Sequence, residues 1–159
     1  MGLLTLADLH DLLLAPAPAV LTTLRADGTP LCTPVWFHFT GDAVEVVIAK
    51  GDVKLKHLGR DPHCSLVVFE TVPPFRGVEF RGEAELRIGD VGPTRQAIAR
   101  RYLGLEEGDR FTERRSGVPA TVCRLPIGTP RIWSLARLLD DDGESGDEPD
   151  DPPPLPRAS

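Results

Sequence analysis

Leu6, Leu9, Leu12 and Leu13 recur at helical spacing after Thr5, with Asp8 three residues beyond the threonine. The pattern predicts a short amphipathic helix capped at Thr5 and stopped by the prolines of APAP. The period then changes. AVLTTLR (19–25) and TPLCTPVWFHFT (29–40) flank Asp27-Gly28, a strong hairpin signal. A second turn, TGD at 40–42, leads into AVEVVIA (43–49), a strand whose alternation gives way to a continuous apolar run. Beyond Gly51, Val53, Leu55 and Leu58 suggest a short helix closed by GRDP, because a residue before proline disfavours the helical region.

HCSLVVFE (63–70) predicts another strand. After the VPP break, FRGVEFRGEAELRI (75–88) is expected as one long strand whose two glycines mark bulges or close backbone approach. GPTRQAIARRYLG predicts a helix with Pro93 early and Gly104 as its stop, and GDRFTERRSG one or two further turns. ATVCRLPI and PRIWSL complete the strands. Many antiparallel strands and few helices favour a mainly β fold, a closed β-barrel with helices packed at its rim. No internal repeats occur.

Composition changes this picture in one place. The net charge of −6 hides an acidic stretch, DDDGESGDEPDDPPPLPRAS, at 140–159. That stretch has little to bury and is expected to be a disordered tail behind a single domain over 1–139. The remaining body is close to neutral, and no aromatics interleave its lysines, a poor footprint for nucleic acid. No run approaches the ~20 apolar residues of a membrane span, and the N-terminal stretch lacks a basic secretory n-region. Cys32, Cys64 and Cys123 are odd in number and form no CxxC pair, so a reducing cytoplasm is expected.

All three lysines, Lys50, Lys54 and Lys56, fall in KGDVKLK at 50–56; the other cations are arginines. A lysine is a compact, mobile charge suited to phosphate. A glycine turn ahead of a helix offers free N–H groups to the same kind of ligand. The four histidines show no metal-ligand spacing, and no Ser/His/Asp or Cys/His arrangement stands out. Such an absence suits chemistry carried by a cofactor.

AVLTTLRADGTPLCTPVWF, AKGDVKLKHLGRDP and FRGVEFRGEAEL, in this order and spacing, resemble the split-barrel flavin-binding superfamily around pyridoxamine 5′-phosphate oxidase. Within it the resemblance is closest to the deazaflavin-dependent oxidoreductases that use coenzyme F420. It implies a split β-barrel homodimer with a cofactor in each cleft between subunits. The implied chemistry is hydride transfer with a small unsaturated or planar substrate, with FMN as the alternative cofactor and a non-catalytic flavin- or haem-binding module as another outcome.

Carried onto this chain, the resemblance places cofactor phosphate at Lys50, Lys54, Lys56 and His57, with Lys54 foremost, and counts Ala49 and Gly51 of the same turn as cofactor-binding. It sets Thr33, Val35 and Trp36 along the ring, and Phe75 and Arg76 in the cleft. Arg76 is equally suited to a cross-strand ion pair. Asp52 departs from the family pattern, which commonly has a basic or hydroxyl residue there; a carboxylate at this place would repel a phosphate unless it turned away or paired with Lys50 or Lys56.

Overall fold

The structure is a computed structural model and describes residues 3–140. The expected tail, apart from Asp140, lies outside the described residues. Thr5 donates both its N–H and its hydroxyl to the Asp8 carboxylate, each at 2.7 Å. This cap starts a 3-10 turn at Leu6–Leu9 that continues as α1, His10–Leu14, and ends before the prolines as expected.

β1 (Ala19–Leu24) and β2 (Pro30–Val35) form the expected hairpin, registered from Ala19↔Val35 to Leu24↔Pro30. Its turn is held by Asp27, whose carboxylate accepts the Thr29 N–H at 3.0 Å, and by Gly28 at φ 82. β2 lies at a sheet edge, where Pro30 and Pro34 cost no central ladder bond. The apolar run 29–40 is not one strand. It breaks at Trp36-Phe37 and resumes as β3 (His38–Phe39), which pairs with β4 (Ala43–Ala49) in the other sheet.

The chain continues through α2 (Val53–Arg60) into β5 (His63–Phe69). The long strand expected over 75–88 is likewise two strands in two sheets: β6 (Gly77–Glu83) and β7 (Glu85–Ile88). Ala84 sits at the break and gives its N–H to the Pro62 carbonyl at 2.8 Å. β8 (Ala120–Pro126) and β9 (Arg131–Trp133) complete two antiparallel sheets, ordered β2-β1-β5-β6-β9 and β3-β4-β8-β7. The two chain switches join the sheets into a mainly β split barrel.

Its core takes Leu21, Leu66, Val68, Val78 and Phe80 from one sheet and Val44, Val46, Ile48 and Leu125 from the other. Burying each such side chain stabilises the fold by roughly 1.5–3 kcal/mol. α3 (Gly92–Leu103) and α4 (Leu105–Arg114) form a helical pair outside the barrel, and α5 (Ala136–Leu139) ends the described chain. Arg101 straps α3 down: its guanidinium donates to the carbonyls of Leu13, Ala15 and Phe37 and lies 4.2 Å over the Phe37 ring. The next residue, Tyr102, donates its hydroxyl to the Ala17 carbonyl at 2.8 Å.

Candidate functional site

The switch residue Trp36 sits on that strapped helix. Its ring stacks on Tyr102 at 5.1 Å and 8° and leans against Phe111 of α4 at 5.9 Å. A cavity of about 360 Å³ opens beside it, walled by β4, the end of β2, the start of α2 and the α3–α4 pair. A second, shallower apolar trough of about 710 Å³ also has Trp36 in its wall, with Pro16–Val20, Phe69 and Tyr102. Trp36 therefore stands between the two hollows, 40% exposed despite its size.

The polar side of the cavity comes from α2. Asp52 is its N-cap: one carboxylate oxygen accepts the Lys54 backbone N–H at 2.9 Å, and the other takes the Lys54 ammonium at 2.8 Å. Burial raises the Asp52 pKa, but the bonds from Lys54 outweigh it and hold the carboxyl below its ordinary value. The charge of Asp52 is met neither by Lys50 nor by Lys56, the two partners considered from the sequence: its partner is Lys54. One helix N–H counted as free for a ligand is thus already satisfied by the protein.

The cap also sets which way α2 faces. Val53, expected in its apolar stripe, is 48% exposed, while Lys54, His57 and Leu58 are buried. His57 points into the protein, where its Nδ1 is 2.9 Å from the buried Thr23 hydroxyl.

Of the residues named from the sequence, Val35, Trp36, Ala49 and Lys54 line the one cavity. Lys50, Gly51 and Lys56 are exposed on the turn and helix beside it. Thr33 is half-buried on β2, outside both hollows. Phe75 lies in a turn closed by its N–H to the Val72 carbonyl at 2.9 Å. Arg76 has all three guanidinium nitrogens engaged, by Glu70, Asp11 and the Asp8 carbonyl. Of the two roles open to it, the structure shows the ion pair.

Four residues of the site had no flag in the sequence. Phe111 and Tyr102 brace the Trp36 ring, and Arg95 and Arg115 add two cations to the cavity. Arg95, 7% exposed, gives its guanidinium to the Arg115 and Val118 carbonyls, the latter at 2.9 Å. Burial, and then the Arg115 charge, push its pKa down. Nothing in the sequence separates these two arginines from the other thirteen. Among the described residues, no group of three or more His, Cys, Asp or Glu side chains is placed to hold a metal.

The fold has close counterparts among solved structures. The conserved hypothetical protein Rv2991 from Mycobacterium tuberculosis superposes with TM-score 0.75 at 21% identity, covering 91% of this chain and 94% of that one. An F420 reductase aligns with TM-score 0.63 at 23% identity, over 76% and 94% of the two chains. HutZ, the haem storage protein of Vibrio cholerae, gives 0.59 at 17% identity, over 80% and 92%. No curated protein sequence matches the chain. The sequence family described as pyridoxamine 5′-phosphate oxidase matches residues 6–118, from the first helical turn to the cavity wall at Val118, and the chain belongs to that family.

Proposed function

We propose that the cavity binds a flavin-type cofactor, preferentially coenzyme F420, and that the protein is an oxidoreductase acting on a small planar or unsaturated substrate. The observation that carries this reading is the make-up of one cavity wall. Trp36 and Phe111 supply flat apolar surface, Arg95 and Arg115 supply positive charge, and Lys54, paired with Asp52, supplies an ammonium donor. A planar ring attached to an anionic chain needs both flat surface and charge. Family membership favours a flavin-type group, and the likeness to an F420 reductase favours the deazaflavin.

The cofactor would supply the hydride chemistry, and the protein binding and orientation. Trp36, held on Tyr102, offers a ring face whose position is set before the ligand arrives. Val35 and Ala49 shape the apolar part of the wall, and Asp52 aims the Lys54 ammonium while leaving two of its protons free. Lys50 and Lys56 add charge at the rim. The trough beyond Trp36 leaves room for substrate, or for a second copy of the chain closing over it.

FMN in the same cavity is the second reading, favoured by the family match. Titrating F420 and FMN into the same apo-protein, followed by cofactor absorbance and fluorescence, separates the two. Tighter binding of F420 is expected, and Trp36→Leu should weaken it about tenfold by removing the aromatic face. Tighter FMN binding would transfer the assignment to FMN. Binding of haem and of neither flavin would overturn both.

A further inference from the structure

We infer that the cavity contains an oxyanion subsite built on Arg95 and Arg115, residues of α3 and the end of α4, rather than on the lysine turn. It would take a phosphate or carboxylate group of a bound ligand. Three cations and one carboxylate line this cavity, and the carboxylate, Asp52, is bonded to Lys54 at 2.8 Å. Lys54 therefore has its charge balanced within the protein. Neither Arg95 nor Arg115 has a carboxylate partner among the described residues.

Arg95 forms the inner part of the subsite. It is buried, and its hydrogen-bond partners are neutral carbonyls, those of Arg115 and Val118. A buried guanidinium with no counter-ion is costly, and here a second guanidinium on the same wall adds repulsion. An anion in the cavity would relieve both. Arg115 forms the mouth. Its backbone carbonyl is gripped by Arg95, and its exposed guanidinium lies 5.6 Å from the centre of the Phe111 ring. The segment after Arg115 is also tied to the lysine turn, where the Lys50 N–H donates to the Pro119 carbonyl at 3.0 Å. Fork-shaped guanidinium groups match the paired oxygens of phosphate or carboxylate better than an ammonium does. An oxyanion bound here would also stiffen the 115–119 segment that walls the cavity.

The inference rests on the same cavity as the proposed cofactor site, so its test uses a probe that needs no flavin. The melting temperature of the full-length protein is measured with inorganic pyrophosphate and with chloride at matched ionic strength. Pyrophosphate should raise the wild-type Tm by several degrees more than chloride. Arg115→Gln should lose most of that rise, Arg115→Lys should retain part of it, and Lys54→Ala should retain more of it than Arg115→Gln does. Arg115 is exposed and its backbone carbonyl survives substitution, so the variant should fold. No excess protection of the wild type, or equal protection of Arg115→Gln, would overturn the subsite.

Comparing FMN with riboflavin, which lacks the phosphate, identifies the source of the anion. If the cofactor phosphate occupies the subsite, Arg115→Gln weakens FMN about tenfold or more and leaves riboflavin unchanged. If a substrate oxyanion occupies it, FMN affinity is unchanged while pyrophosphate protection is still lost. Should neither F420 nor FMN bind while Arg115-dependent protection persists, the cofactor assignment fails and the subsite stands.

Discussion

Arg76 shows how one side chain can be settled by partners distant in sequence. It joins Glu70, just past the end of β5, to Asp11 on α1, with Nη2 at 2.9 and 2.8 Å from the two carboxylates. Arg76 holds the pKa of both acids below ordinary carboxylate values, through its hydrogen bonds first. Depressed acid pKa values add stability that is present above the unfolded-state pKa, about 4, and is lost as pH falls through the folded-state value. Acid unfolding should therefore begin below about pH 4. Arg76→Ala should cost roughly 1–3 kcal/mol at neutral pH, because Glu70 is left half-enclosed and unpaired. It should also flatten the loss of Tm as pH falls below about 4, because the two depressed carboxyls lose their shared partner. A variant with wild-type Tm at neutral pH and an unchanged acid limb would show the clamp to be idle.

At the scale of elements, the cavity depends on how closely α3 and α4 meet. Gly108 makes that approach possible: a Cβ there would fall 2.5 Å from the Arg100 nitrogen and 2.8 Å from the Ala99 carbonyl carbon. These are backbone atoms of the facing helix and cannot swing aside. The pair is fastened further by Asp109, whose carboxylate accepts from the Arg100 guanidinium at 2.6 and 2.9 Å. Gly108→Ala should push α4 outward and cost about 1–3 kcal/mol by overpacking. It should also weaken ligand binding, since Phe111 and Arg115 ride on the displaced helix or its end. Thermal melts and ligand titration of this one variant measure both, and wild-type values in each would show that the helices accommodate the methyl.

For the whole molecule, the trough around Trp36 is the surface to explain. Its wall is mostly apolar, running from Pro16–Val20 across Val35 and Trp36 to Phe69. The edge strand β2 borders it, carrying two prolines that discourage further strand pairing. A homodimer packed side chain to side chain over this trough would bury Trp36 and enclose the ligand. Light scattering at micromolar concentration should thus give twice the 17.3 kDa chain mass. A monomer that still binds cofactor would rule out a site shared between subunits. No helix among the described residues is long and apolar enough to cross a membrane.

Local order was legible without coordinates wherever neighbours in sequence decide it. The Thr5 cap, the Asp27-Gly28 hairpin, the β4 strand and the glycine stop at 104 are all short-range choices of dihedral and hydrogen bond, and each stands where its residues predict. The family pattern, spread over three motifs, was legible for the same reason. What only the tertiary structure decided was partnership. The runs 29–40 and 75–88 read as continuous strands because alternation does not record a change of sheet; the changes at Trp36-Phe37 and Ala84 come from closing the barrel. The lysine cluster drew attention by composition, yet Lys54 is matched with Asp52, and His57 is turned inward to Thr23. Arg95 and Arg115 were indistinguishable from other arginines until packing buried one without a counter-charge and set the other on the same wall. A side chain's charge is written in the sequence. Whether that charge is already balanced depends on which groups the fold brings within a few ångströms of it.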